Sequence, residues 1–217
     1  MFIGHAAVAL AAKRVAPQVS LGTMLLAVFF LDALWPAFLL LDWESVEIRP
    51  GDTAFTPLAF THYPWSHSLM MAIAWSVLVG GAFFGVRRDP LGAVWVGLAV
   101  TSHWVLDFVS HRADLPLAPG SDVKVGLGLW NSVPATLGVE GALFLAALSI
   151  YMGRTRARDA TGRWAFAVLI AFFLAAYIGN ILGPPPPSVN ALAAVSLCMW
   201  LLVPWGYWID RHREARA

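Results

Sequence analysis

The sequence contains few charged residues and a single cysteine. Of its 217 residues 59% are hydrophobic and 12% are charged, whereas an ordinary soluble domain has roughly 25% charged residues. This shortage of charge argues strongly against a water-soluble protein. Cys198 lies in an apolar stretch, so a disulfide within the chain and a thiolate metal site are both excluded. The net charge of +1 and the lack of a large basic cluster give no indication of a nucleic-acid partner.

Long apolar stretches dominate what remains. A helix that crosses a membrane needs about 20 mostly apolar residues, and short connections separate the stretches here. We predict an all-α, polytopic membrane bundle with six transmembrane helices and a short N-terminal helix, forming one domain over residues 1–217. Whether the short helix inserts or lies on the membrane surface stays open. The short helix is predicted at Ile3 to Val15, and the six spans at Leu21 to Leu41, Ser66 to Val86, Leu91 to Val109, Val133 to Tyr151, Trp164 to Leu182 and Val189 to Trp208.

Basic residues predict the orientation, because loops rich in Lys and Arg usually face the cytoplasm. One end of the predicted spans carries Lys13, Arg14, Arg87, Arg88, Arg154, Arg156, Arg158, Arg163, Arg211, Arg213 and Arg216. We therefore expect an inner-membrane protein with both termini in the cytoplasm. The first basic residues follow the first apolar run instead of preceding it, which argues against a cleaved signal peptide. The tryptophans near the span ends are typical of an interfacial aromatic belt.

Ionisable residues are concentrated in the first four spans and at their outer ends, within residues 1–152. The last two spans lie within 162–209 and look like supporting helices, since no charged residue or histidine occurs from Trp164 through Ile209. Ionisable side chains inside a membrane are costly and usually functional. The candidates for chemistry are His5, Asp32, His62, His67, His103, Asp107, His111 and Glu140.

Three of these candidates recur every four residues. His103, Asp107 and His111 would share one face of a helix. At about 1.5 Å of rise per residue, His5, Asp32 and His103 lie roughly 13, 17 and 19 Å from the cytoplasmic ends of their helices, which allows one site in the outer half of the membrane. His and carboxylate ligands suit zinc, and also manganese or iron, with zinc favoured for hydrolysis. Their number predicts two ions, bridged by Asp32 or Asp107.

Four motifs follow one another along the chain: GHAAVALA at the start, FFLDALWP in the first span, THYPWSHSL before the second, and SHWVLDFVSH at the end of the third. With them, residues 1–141 resemble the bacterial membrane-bound metal-dependent hydrolase family, which is distantly similar to zinc-dependent phospholipase C and P1 nuclease. The resemblance makes Asp32 the bridging residue. In the phospholipase-like pattern a further ion would use His111 and a His-x-x-x-Glu pair, but Thr136 stands where that histidine would precede Glu140. The metal ligands that the resemblance implies are His5, Asp32, His67, His103 and Asp107.

Some of these residues, and a few others, have further possible roles. Asp32, Asp107 and Glu140 are the candidates for a direct part in catalysis. Each also has a structural interpretation, as a hydrogen-bonded partner between helices, and His67 could instead cap the second span. The candidate contacts to substrate or to a further ion are His62, His111, Arg112, Lys124 and Glu140.

We expect the protein to be a metal-dependent hydrolase that takes a phosphoester or a lipid-linked substrate from the lipid bilayer. An ion-coupled or proton-coupled transporter is the alternative, with the same His and Asp residues as a relay. The lack of a repeat between the two halves counts against it. A non-catalytic membrane subunit is the third possibility, and no obligate protein partner is evident in the sequence.

Overall fold

The computed structural model describes residues 1–216, of which 68% are helical. Three short 3₁₀ segments extend or join the helices, at Ala12–Arg14, Leu129–Asn131 and Leu197–Leu201. The α-helices are α1 (Ile3–Ala11), α2 (Leu21–Val28), α3 (Phe30–Leu40), α4 (Pro64–His67), α5 (Leu69–Arg87), α6 (Pro90–Ser110), α7 (Val133–Arg154), α8 (Ala160–Leu182), α9 (Val189–Ser196) and α10 (Leu202–Arg211).

Short antiparallel ribbons lie in the connections and at the chain's carboxyl end. β1 (Ser45–Ile48) pairs with β2 (Leu58–His62), and β3 (Leu115–Pro116) pairs with β4 (Lys124–Val125). β5 (Thr155–Ala157) pairs with β6 (Arg213–Ala215) beyond the last helix. The all-α prediction is confirmed for the body of the fold.

Five helical segments are long and apolar enough to cross a membrane: α5, α6, α7, α8 and the continuous stretch Val189–Arg211. A sixth crossing would require α2 and α3 to act as one span, although they are bent by 51° relative to each other. Large apolar side chains such as Val77, Leu145 and Ile178 face outward from these helices. Apolar helices of this length and exposure suggest insertion into a membrane.

Side-chain caps set where the long helices begin. Asp89 accepts a hydrogen bond from the backbone amide of Gly92 at the start of α6, and Ser132 does the same for α7. Asp159 and Ser188 cap the last two apolar segments. Such caps replace hydrogen bonds that the first turn of a helix cannot make internally, and lipid offers no substitute for them.

The first helix is buried inside the bundle. α1 ends at Ala11, earlier than the predicted Val15, and its Ile3, Ala6 and Leu10 side chains are almost inaccessible. It packs mainly against α7 and α2. The segment therefore lies inside the bundle and not on its surface.

Two predicted spans are interrupted near the site. The predicted span from Leu21 to Leu41 breaks at Phe29, between α2 and α3. The predicted span from Ser66 begins instead with the single turn α4, after which the extended residue Ser68 caps α5. Both breaks lie close to predicted metal ligands, Asp32 and His67, and change the direction in which these side chains point.

Two glycines allow α2 and α10 to approach closely. A Cβ on Gly206 would lie 2.6 Å from the Cα of Gly22, and a Cβ on Gly22 would lie 2.7 Å from the carbonyl oxygen of Val203. Lys13 supports the same contact, because its ammonium lies 3.4 Å from Asp210 of α10. The N-terminal, site-bearing half of the chain is thereby fixed to the last helix.

Replacing Gly206 with alanine is expected to destabilise the protein by about 1–3 kcal/mol, because the added methyl group meets backbone that cannot rotate away. Thermal unfolding in detergent measures the effect. Gly141→Ala in α7 is the matched control, since a Cβ there meets nothing within 4 Å, and it should leave the melting temperature unchanged or slightly higher. Equal losses in the two variants would contradict the close helix contact.

Candidate metal centre

Four helices bring the five predicted metal ligands together. His103 and Asp107 lie one turn apart on α6, His5 comes from α1, Asp32 from the first turn of α3, and His67 from α4. The break at Phe29 and the single turn of α4 aim Asp32 and His67 at the α6 pair. Neither break was expected from the sequence.

The side-chain atoms of these five residues are within a few ångströms of one another. Asp107 lies between two imidazoles, with Oδ1 3.1 Å from His5 Nε2 and Oδ2 3.1 Å from His103 Nε2. Asp32 Oδ1 lies 3.3 Å from His67 Nε2 and 3.6 Å from His103 Nε2. Two groups, His5 with His103 and Asp107, and Asp32 with His67 and His103, have ligand atoms within 4.8 Å of one another. Each group could hold a metal ion.

The donor set fits a divalent cation. His103 Nε2 is buried and makes no hydrogen bond with any described residue, although Asp107 Oδ2 lies 3.1 Å away. A buried nitrogen without a partner is costly in an apolar bundle, whereas a cation would satisfy its lone pair. The amino group of Met1 also lies at the site, 2.5 Å from Asp107 Oδ1 and 3.1 Å from Ser110 Oγ.

The tautomer of His103 is fixed by the backbone. Its Nδ1 lies 2.6 Å from the carbonyl oxygen of Val28, the last residue of α2. A carbonyl oxygen only accepts, so Nδ1 must carry the proton and donate. The Nε2 lone pair of a neutral His103 is then directed to the carboxylates, which is how metal-binding histidines are usually held.

A hydrogen-bond relay from buried Glu44 through Ser66 fixes the tautomer of His67 in the same way. Ser66 Oγ donates to Glu44 Oε2 over 2.6 Å, and the same oxygen lies 2.6 Å from His67 Nδ1. Since the hydroxyl proton goes to Glu44, Ser66 Oγ accepts from His67 Nδ1 and leaves Nε2 free. Glu44 Oε1 also accepts from the backbone amides of Trp65 and Ser66 at 2.7 Å each, which holds α4 in place.

Glu140 lies beside the site but does not belong to either ligand group. Its Oε2 accepts from the backbone amides of Phe2 and Gly4, so it caps α1 and positions His5. Thr136, one turn earlier on α7, donates its hydroxyl to the carbonyl oxygens of Leu129 and Ser132. Thr136 and Glu140 thus both hydrogen-bond to backbone groups of neighbouring segments.

His111 lies at the edge of a cavity next to the five ligands. Its Nδ1 is 3.0 Å from Asp114 Oδ1, which also accepts from the Tyr63 hydroxyl at 3.0 Å. Burial favours a raised pKa for Asp114, but hydrogen bonds from His111, Tyr63 and Arg112 lower that pKa below its usual value. The ionised Asp114 holds His111 with one ring edge toward the cavity.

Three other candidate contacts lie away from this cavity. Arg112 binds Asp114 at 3.1 Å and Asp52 at 2.7 Å through its guanidinium group. His62 and Lys124 line a separate depression of about 300 Å³. The structure thus separates His62, Arg112 and Lys124 from the five ligands.

The cavity beside the ligands has a volume of about 130 Å³ and a largely aromatic wall. Phe60 of β2 is central to that wall, since its ring lies 5.6 Å from Trp35 and 4.8 Å from His111. Sequence reasoning missed Glu44, Ser66 and Phe60, and it assigned the cavity tryptophans to a belt. The adjacency of Ser66 and His67 was the one signal available. The cavity is lined by Met1, Phe2, His5, Asp32, Trp35, Phe55, Thr56, Leu58, Phe60, His67, Asp107, His111, Trp130 and Asn180.

Replacing Ser66 with alanine is expected to weaken zinc binding by about 10–100-fold, the usual effect of losing a partner that orients a ligand. The His67 ring would lose the acceptor of its Nδ1 proton and with it a single orientation. Competition with a chelator of known affinity measures the change. Ser149→Ala is the matched control, because that hydroxyl bonds only Leu145 of its own helix. Equal zinc affinity in both variants would contradict the relay.

Comparisons with known proteins give no independent support for a family. No family model matches the chain, and no curated protein or solved structure matches it. The resemblance to membrane-bound metal-dependent hydrolases therefore rests on the four sequence motifs.

Proposed function

We propose that the protein is a membrane-bound metal-dependent hydrolase that acts on a phosphoester or a lipid-linked substrate. The observation that carries the proposal is the convergence of His5, Asp32, His67, His103 and Asp107 from four helices beside a small cavity. Structural polar pairs would not require three histidines and two carboxylates at one point in an apolar bundle.

We expect two zinc ions, because the five side chains supply more donors than one tetrahedral ion takes. His5, His67 and His103 would supply nitrogen and Asp32 and Asp107 oxygen, with His103 common to the two ligand groups. Manganese or iron would also accept this mixed nitrogen and oxygen set.

The two carboxylates have different environments and therefore different roles. Asp107 is 4% exposed and is surrounded by Met1, His5 and His103. Both carboxylates line the cavity, but Asp32 keeps 27% of its side chain exposed. Asp32 is thus the carboxylate that can accept a hydrogen bond from an attacking water, while Asp107 holds the histidines in place.

Bound divalent cations would supply Lewis acidity, lowering the pKa of water and polarising a phosphoryl oxygen. The chain's own residues then orient the reactants. Asp32 accepts a hydrogen bond from the water, and His111, held by Asp114, also lines the cavity in which the substrate would bind. The aromatic rings of the wall exclude bulk water, which strengthens these interactions.

The cavity's position fits a substrate that arrives from the membrane. Asn180 lines the cavity and is exposed near the outer end of the apolar helix α8. At the opposite end of the bundle lie the basic residues and the β5–β6 ribbon. We propose six spans in a bacterial inner membrane, with α2 and α3 forming one broken span, both termini in the cytoplasm and the site toward the periplasm.

Purified protein is expected to contain two divalent ions per chain, and Asp32→Asn and Asp107→Asn should lose metal and activity together. Elemental analysis measures the ions, and release of nitrophenol from bis(p-nitrophenyl) phosphate measures hydrolysis. Glu47→Gln is the control, because that carboxylate is exposed on β1 and bonds only Arg49. Folded protein without stoichiometric metal would refute the hydrolase. Metal binding with ion flux in liposomes and no hydrolysis of any phosphoester lipid would favour the transporter.

The proposed orientation predicts opposite accessibility for the two ends of the bundle. In a Cys198→Ser background, a cysteine replacing the exposed Asp122 should react with an impermeant maleimide added outside intact spheroplasts. A cysteine replacing the exposed Arg14 should react only after the membrane is opened. Reaction of both, or of Arg14→Cys alone, before lysis would overturn the orientation.

A further inference from the structure

A groove on the outside of the bundle lies apart from the metal centre. It has a volume of about 490 Å³ and runs between α5 on one side and α2 with α10 on the other. Val96 of α6, which is fully buried, also lines it, whereas the lining residues Leu78 and Val86 are exposed at the surface. The groove therefore reaches from the surface into the bundle. It shares no lining residue with the cavity beside the ligands.

Contacts between the two walls bound the groove at both ends. The side-chain amide of Gln18 donates to Asp89 Oδ2 over 3.2 Å, which joins the segment before α2 to the turn between α5 and α6. At the other end, the ring centroid of Phe30 lies 5.8 Å from that of Trp75 on α5. The groove thus has a defined length, unlike the open apolar surface of the long helices.

The dimensions of the groove fit an acyl chain better than a helix. Leu78 and Arg87, which both line it, are nine residues apart on α5, or about 14 Å. One leaflet of a typical bilayer has a hydrocarbon depth of about 15 Å. Over that length the volume of the groove corresponds to a width of about 7 Å, whereas a helix with its side chains is about 10–12 Å wide. A helix of a second copy is therefore too wide for the groove.

The lining is polar at one end only. Ser20, the cap of α2, and Arg87, in the last turn of α5, line the first end, and Phe30 lines the second. Between them, the hydroxyls of Thr23 and Tyr207 bond to each other over 2.7 Å, so neither needs a partner from a ligand. This change in polarity fits an amphiphile whose head lies at the first end and whose chain points toward the second.

Arg87 gives the polar end a positive charge. It is the one charged side chain among the described residues that line the groove, and its guanidinium is exposed. Within residues 1–216 no oxygen accepts a hydrogen bond from it. Asp89, two residues later, is already engaged by Gln18 and by the backbone amide of Gly92. An anionic headgroup would therefore complement Arg87, as anionic lipids complement basic residues at a membrane surface.

We propose that the groove binds one acyl chain of an anionic diacyl phospholipid, with the phosphate of that lipid at Arg87. The second chain stays in the surrounding bilayer. The bound chain fills the space between α5 and α2, and so supports α2, which leads into the break at Phe29. This assignment requires insertion into a membrane but does not depend on the metal ions or on the proposed hydrolase.

Dioleoyl phosphatidylglycerol is the probe for the test. Native mass spectrometry of the detergent-solubilised wild type should detect one such lipid per chain, bound more tightly than phosphatidylcholine with the same chains. Arg87→Gln should weaken this binding by about fivefold, the usual contribution of one basic residue near an anionic headgroup. Arg163→Gln is the matched control, because it removes an exposed arginine that does not line the groove. It should bind the lipid like the wild type.

A second pair of variants tests the site of the acyl chain. Ala82 is exposed on α5 and lines the groove, so Ala82→Phe should fill it and prevent retention of either lipid. Ala74→Phe, at an exposed position of the same helix outside the groove, should retain phosphatidylglycerol.

Three results would overturn the assignment. They are phosphatidylglycerol affinities that are equal in Arg87→Gln and the wild type, equal lipid retention by Ala82→Phe and Ala74→Phe, and a lipid-free dimer that Ala82→Phe dissociates. The dimer would assign the groove to a second copy of the chain. Metal content and hydrolysis, recorded on the same samples, report on the hydrolase separately, so either proposal can fail without the other.

Discussion

The carboxylate of Asp107 is the point on which the rest of the structure depends. It lies almost fully buried in an apolar bundle, where an uncompensated charge is destabilising by several kcal/mol. One oxygen contacts the amino group of Met1 and His5 of α1, and the other contacts His103, one turn earlier on α6. The charge of Asp107 is therefore neutralised only when α1 packs against α6.

The surrounding helices meet that requirement through backbone contacts. Glu140 receives the first amides of α1, so the helix that carries His5 is held at its start. Glu44 does the same for the single turn that carries His67. Both glutamates are buried and bind backbone amides, and neither belongs to a ligand group. Carboxylates thus have two distinct roles here: Glu44 and Glu140 cap helix starts, while Asp32 and Asp107 belong to the central cluster.

The sequence predicted what depends on local pattern. Apolar length predicted the long helices, and spacing by four placed His103 and Asp107 on one face. The breaks at Phe29 and Ser68 were not predicted, because neither has a proline or glycine beside it, whereas Pro36 lies inside α3 without ending it. The contacts of Glu44 and Phe60 were not predicted either, because they depend on how the connection between α3 and α4 folds. Tryptophans at span ends follow the interfacial rule only where they face outward, which a linear sequence does not reveal.

The 51° bend between α2 and α3 has a consequence for engineering. In a continuous helix, the carbonyl of Val28 would accept from the amide four residues later; here it accepts the imidazole of His103 instead. The bend leaves the carbonyl oxygen of Val28 without a helical partner, and the Nδ1–H of His103 needs an acceptor. The bend and the histidine therefore depend on each other. Copying the five candidate ligands onto straight helices would not reproduce the cluster. A transplant would have to carry the interrupted helix as part of the same unit.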